Sequence, residues 1–177
     1  SSRKQASEEV WGKLIRGLNK LGKYSLEEFG IKLSYHHHVG TMVESISEVD
    51  RLLNETDERY VSLNYDCGHF YFANENPLSA IKKYMPRISH IHLKDVRDNV
   101  KSRVEKDNLS FLEGVKLGVF TVPGDGDIEN MDEILSYIKN QNYNGWVVVE
   151  AEQDSAVANP FEYAKMGYEF INKHMNI

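Results

Sequence analysis

One stretch limits the possible folds of this chain more than any other. Ser89-His90-Ile91-His92-Leu93-Lys94-Asp95 ends with apolar and polar residues in alternation, the period of a β-strand. Ile91 and Leu93 fall on one face, His90, His92 and Lys94 on the other. A strand that sends two imidazoles and an ammonium to one face is not simply packing that face. Three more stretches behave alike. Ser62, Asn64 and Asp66 share a face in Tyr60–Asp66, and Val148, Glu150 and Glu152 share one in Trp146–Glu152. In Ile31–His38, Ser34, His36 and His38 lie opposite Ile31, Leu33 and Tyr35, which leaves His37 on the apolar side with a structural role. Four strands therefore end in residue types that bind metals or move protons.

Helical patterns separate these strands. Apolar positions at Val10, Leu14, Ile15, Leu18 and Leu21 predict a helix over 7–24, and the Ser25/Glu28 spacing predicts a fresh helical turn after it. Ser45 and Glu48 form a second capping box before Ile46, Val49, Leu52 and Leu53. Asn76-Pro77 opens a helix to about Met85, and Asn159-Pro160 opens the closing one. Asn130 caps a helix carrying Ile134, Leu135 and Ile138. Residues 96–118 are charged and mixed, with a helical turn expected near Asn108–Glu113 and a small extra strand within Lys116–Val122. Strand-helix alternation repeated four times means a parallel sheet with right-handed crossovers. Function then sits at the carboxyl ends of the strands, where His36, His38, Asp66, His92, Lys94 and Glu150 all fall.

Composition removes several classes of function. At 177 residues the chain reads as one domain, 1–177. A formal net charge of −6 argues against nucleic acid as a partner. No apolar run approaches the ~18 residues of a membrane span. The lone Cys67 forms no internal disulfide and reads as a small packed residue in a reducing, cytoplasmic setting. The tyrosines and Trp146 read as core. The chain opens Ser1-Ser2-Arg3 without methionine, so a segment upstream is expected to have been removed.

Two imidazoles and two carboxylates from separate strands suit one divalent metal, and mixed nitrogen and oxygen donors favour Mn, Fe, Co or Zn over Mg or Ca. No local ligand motif such as H-E-x-x-H supports this, so the assignment depends on the fold. His69, in Asp66-Cys67-Gly68-His69, could touch substrate or cap the following helix.

Asp66-Cys67-Gly68-His69, His90–Asp95, Pro123-Gly124-Asp125-Gly126-Asp127-Ile128 and Val147–Glu150 together resemble the xylose-isomerase-like barrel superfamily of sugar isomerases, epimerases and apurinic endonucleases. Tyr35–Thr41 and Trp146–Asp154 resemble the inosose dehydratases within it. The resemblance covers about residues 30 to 175. It implies a (β/α)8 TIM barrel with one metal, Mn or Co, at the carboxyl-end mouth. It also implies that Asp66, His92 and Glu150 are metal ligands, with His36 where the isomerases and epimerases have a glutamate. Those enzymes move protons with two glutamates. Here only Glu150 remains, which points to a different proton shuffle.

A full barrel needs about 250 residues, so the chain reads as its carboxyl-terminal half, with the missing strands ahead of Ser1. The reaction implied is metal-dependent loss of water from a keto-inositol, scyllo-inosose, with sugar isomerisation or epimerisation as the alternative. Glu150, His38, Lys94 and Glu152 are the catalytic candidates, with base and acid unassigned, and His69 and His90 the substrate-binding ones. The expected partners are the small polyol substrate and either a second copy of the chain or the other barrel half.

Overall fold

The computed structural model describes residues 5–175, so the opening Ser1-Ser2-Arg3 lies outside the described residues. In chain order the elements are α1 (Glu8–Phe29), β1 (Leu33–His36), α2 (Ile46–Glu55), β2 (Val61–Asp66), α3 (Cys67–Phe72), α4 (Pro77–Tyr84), β3 (Ile88–Leu93), β4 (Asp95–Val96), α5 (Asp98–Lys106), α6 (Phe111–Lys116), β5 (Phe120–Thr121), α7 (Met131–Asn140), β6 (Trp146–Val149) and α8 (Pro160–Met175). The strands β1, β2, β3 and β6 form one parallel sheet in the order β1-β2-β3-β6. The short β4 and β5 pair antiparallel, apart from it. No helix among the described residues is long and apolar enough to cross a membrane.

Local chemistry explains most boundaries. Ser45 and Glu48 close both halves of their capping box. Asn76 accepts from the Ser79 N–H, with Pro77 in the first turn. The turn expected at Ser25 does not form. Nothing there breaks the helix, so α1 runs on to Phe29 and ends at Gly30, whose φ of 67° suits glycine. The Ser25 hydroxyl instead donates to the Ile31 carbonyl. Asn130 precedes α7 without a side-chain cap bond. In the ambiguous segment, Ser110 and Glu113 form a second capping box and start α6. The extra strand narrows to β5.

The sheet has two unlike faces. Outward, Leu63, Tyr65, Ile91 and Leu93 are fully buried with Leu52 of α2, Ile81 of α4 and Ile134, Leu135 and Ile138 of α7. Inward lie polar groups, with the Ser89 hydroxyl hydrogen-bonded to those of Ser34 and Ser62. Ser89 is also where the β2–β3 register shifts: Leu63 pairs with Ile88, but Asn64 pairs with His90. One extra residue in β3 lets Ile88 face the core although it has the parity of His90. Trp146, expected in the core, is 76% exposed. It pairs with His90 on the edge strand β6, level with the uncovered inner face. The tyrosines divide: Tyr65 and Tyr84 are buried, whereas Tyr24 and Tyr168 are exposed.

Both sheet edges, β1 and β6, lack a neighbouring strand among the described residues. Exposed apolar side chains gather on the same flanks. Leu21, Tyr24, Phe29 and Ile31 lie on the β1 side, and Val157, Phe161 and Tyr168 on the β6 side.

Two glycines in α1 report how closely that helix meets the sheet. A Cβ on Gly22 would stand 2.4 Å from the Tyr60 carbonyl oxygen, whereas one on Gly17 would meet nothing within 4 Å. Gly22→Ala is expected to destabilise by about 1–3 kcal/mol through backbone displacement. Gly17→Ala should stabilise by about 0.5–1 kcal/mol. Urea unfolding of the two variants checks the opposite signs.

Candidate active site

The cluster at the carboxyl ends of the strands begins with Asp66, the last residue of β2 and the N-cap of α3. Its Oδ1 accepts from the His69 N–H at 3.0 Å, which commits that oxygen to the helix. Its Oδ2 is left facing the site, 3.2 Å from His36 Nε2 and 3.7 Å from His92 Nδ1. The Asp66 backbone N–H donates to Nε2 of His37, which lies fully buried against Phe70. Burial pushes the His37 ring down to about 3, so it stays neutral and keeps that acceptor. The structural role expected for His37 is thus a specific one beneath Asp66.

Lys94 stands at the centre, with no exposed surface. Its Nζ lies 3.2 Å from Asp66 Oδ2, 2.8 Å from Glu150 Oε2, 2.5 Å from Glu152 Oε2 and 3.1 Å from His69 Nε2. A Cβ on residue 68 would sit 2.1 Å from Lys94 Cγ, so Gly68 is what lets the lysine stem pass over α3. Cys67 packs below, its thiol donating to the Lys94 carbonyl at 3.1 Å. The backbone of Glu152 is left-handed, at φ 44°, a conformation that costs energy for any side chain but glycine's. Its carboxylate is held by Lys94 and lies 3.5 Å from both His38 Nε2 and His69 Nε2. The His38 Nδ1–H donates to the Val39 carbonyl at 2.8 Å, which turns Nε2 towards Glu152.

These contacts set the charges. Burial alone would raise the Asp66 carboxyl. Its neighbours His69, Lys94, His36 and His92 more than reverse that and hold it well below the usual range. The His92 contact, helped by Lys94, brings Glu150 down to about 2. Burial pulls the His92 ring down, but Asp66 and Glu150 outweigh it and raise it to about 9. Burial pulls the His38 ring down, but its contacts with Glu152 and the Val39 carbonyl together outweigh it, so His38 is raised as well. Burial opposes the charge on Lys94, yet three carboxylates hold its pKa above the ordinary lysine value.

The donor set fits a divalent cation. Three carboxylates surround one ammonium, and a cation that displaced the ring proton of His92 would meet an excess of negative charge. Ligand atoms of His36, Asp66, His69 and Glu150 lie within 4.8 Å of one another, and so do those of His38, His69 and Glu152. Mixed nitrogen and oxygen donors of this kind suit the later first-row metals.

A model of the xylose isomerase-like TIM barrel matches residues 1–174. The chain belongs to the xylose isomerase-like TIM barrel family. The inosose dehydratase of Bacillus thuringiensis strain Al Hakam is 52% identical over 167 residues, 94% of this chain and 55% of that protein. That of Clostridium botulinum strain Alaska E43 is 47% identical over 171 residues, 97% of this chain and 57% of that one. The chain thus spans about half the length of the curated relatives it matches. Among solved structures, the probable 3-DHS dehydratase AsbF of Bacillus anthracis superposes with a TM-score of 0.74 at 16% identity, over 94% of this chain and 58% of that one. The IolI protein, solved with a bound zinc atom, gives 0.72 at 20% identity, over all of this chain and 62% of that one. At such identities the superpositions speak for the barrel fold alone. The four parallel strands are half of the eight in such a barrel.

Within that family frame, the residues named from the sequence converge with one exception. His36, His38, Asp66, His92, Lys94, Glu150 and Glu152 meet in one cluster, and His69 joins it as a neighbour of both Lys94 and Glu152. The cap of α3 is Asp66, which takes the His69 N–H, while the fully buried His69 ring lies in the cluster. His90 lies one step deeper on the inner face, its ring 5.2 Å from that of His92. Sequence reasoning gave no role to Gly68 or to Asp95. Asp95 is buried, and its carboxylate accepts from the Val96, Gly124 and Ile128 N–H groups, anchoring the Pro123–Ile128 loop. The run Pro123-Gly124-Asp125-Gly126, rich in turn residues, was the available signal that the loop needs an anchor.

Two outcomes follow from the charges. Replacing Lys94 by Met keeps the stem but strands three carboxylates, and is expected to cost about 3–5 kcal/mol in urea unfolding at neutral pH without metal. The second concerns His92, whose folded-state pKa is raised. Its contribution to stability is full below its unfolded value near 6.5 and is lost as pH rises through about 9. Metal-free protein should therefore lose stability between these values, and His92→Gln should flatten that slope.

Proposed function

We propose that this chain carries the metal-binding and proton-moving part of an inosose dehydratase, a hydro-lyase of inositol catabolism. On this reading the substrate is scyllo-inosose, which loses water to give a trihydroxycyclohexane-dione. The observation that carries the reading is the cluster of His36, Asp66, His92 and Glu150 beside His38, Lys94 and Glu152. About half of all residues are identical to those of curated inosose dehydratases over nearly the whole chain.

His36, Asp66, His92 and Glu150 would hold the metal, Mn or Co on this reading. A divalent cation there would polarise the substrate ketone and make the neighbouring proton labile. Dehydration then needs a base for that proton and an acid for the departing β-hydroxyl. His38 and Glu152 suit these steps, because they face each other across 3.5 Å and both are partly open to solvent. Lys94 stays charged and fixes Glu150 and Glu152. His90 lines the polyol side on this reading, whereas the His69 ring is fully buried against Lys94 and Glu152. The two open sheet edges and the apolar side chains on their flanks support pairing with four further strand-helix units or with a second copy of the chain. The cytoplasm is the compartment in this reading.

The assay supplies scyllo-inosose and Mn(II) or Co(II) to the chain alone and to the chain joined to the remaining part of a curated relative. The joined form should release the dione, lose at least a hundredfold in rate with Glu152→Gln, and stop with chelator. The chain alone should sediment larger than a monomer. Ketose interconversion without water loss would instead mark an isomerase or epimerase, and no turnover above a metal-free control would end the dehydratase reading.

A further inference from the structure

Asn64 stands on the inner face of β2 and is 6% exposed. Its amide Nδ2 lies 3.2 Å from Nε2 of His92. Its Oδ1 is buried and has no hydrogen-bond partner. An amide oxygen left so is a spare acceptor, and burying one unused is costly. The other nitrogen of the same ring, Nδ1, faces the carboxylates, 2.9 Å from Glu150 Oε2 and 3.7 Å from Asp66 Oδ2. A cation held by those carboxylates would take the lone pair of Nδ1. The ring proton must then sit on Nε2, and Nε2–H needs an acceptor. A half-turn of the Asn64 amide exchanges Oδ1 and Nδ2, two atoms of nearly the same size, and brings the spare acceptor to that proton.

We propose that Asn64 presents its amide oxygen to His92 Nε2–H and so is the positioning residue that fixes Nδ1 as the nitrogen His92 offers to a divalent cation. The proposal rests on the metal-binding reading above. It adds a residue that acts on the cation only through His92, in the way that metal-bound imidazoles are oriented by the partner of their second nitrogen. The position suits asparagine. Leucine has the same branching but no acceptor, and aspartate keeps the acceptor and nearly the same shape.

The test uses the 177-residue chain with 15N-labelled histidine and Zn(II) alone as the probe. Imidazole nitrogen shifts report which ring nitrogen carries the proton and which the metal, and calorimetry gives the zinc affinity. In the parent chain, zinc should shift Nδ1 of His92 and leave a proton on Nε2. Asn64→Leu should weaken zinc binding by about ten- to a hundredfold and lose that single pattern, whereas Asn64→Asp should keep both. Unchanged zinc affinity and an unchanged pattern in Asn64→Leu would overturn the proposal and leave the metal reading standing. So would coordination through Nε2 in the parent chain. A parent chain that takes up no zinc at this cluster would overturn the metal reading, and the role of Asn64 with it.

Discussion

The placement of the Lys94 ammonium among Asp66, Glu150 and Glu152 is the interaction on which the rest of the site depends. Two unit charges 4 Å apart in a partly screened protein interact by about 4 kcal/mol. Three acids gathered without a cation would repel one another on that scale and would either protonate or move apart. The ammonium lets them share one corner and helps hold Asp66 and Glu150 ionised. It also explains local details that look unrelated. Gly68 has no side chain because the lysine stem passes over it. Glu152 accepts an unfavourable backbone conformation because its carboxylate closes the ring of contacts.

That corner draws on three strand ends at once, and parallel topology is what brings them together. Asp66 closes β2, Lys94 follows β3 and Glu150 follows β6, and the Glu150 N–H bonds back to the Leu93 carbonyl. Each strand leaves the outer helical layer at the same height, so side chains distant in sequence become neighbours. The outer face packs against the helices, whereas the inner one carries serines, an asparagine and histidines, with Ser62 and Asn64 of β2 buried among them. Burying apolar side chains on one face gives the sheet its stability.

The ends of the strands were readable in the sequence because alternation has a strict period. Asp66, His92 and Glu150 needed only parity to be placed on one face, and the apolar partners Leu63, Ile91 and Val149 confirmed the register. Three things were not readable in this way. The bulge at Ser89 breaks the period and shows only in pairing. Trp146 looked like core because aromatic residues usually are, but its surroundings depend on whether anything faces the inner side. His69 reaches the cluster from a helix, where strand parity says nothing. The helix α5 was obscured by its charge, since only Val104 of its nine residues is buried. The capping box that begins α6 was present in Ser110 and Glu113 and went unread.

Anomalous diffraction from crystals soaked in Mn(II) or Zn(II) tests most directly whether this corner is a metal centre. The account predicts one strong peak within about 2.0–2.3 Å of Asp66 Oδ2, His92 Nδ1 and a Glu150 oxygen, with Lys94 retained on Glu152. A peak confined to His38, His69 and Glu152, or none at the strand ends, would contradict it.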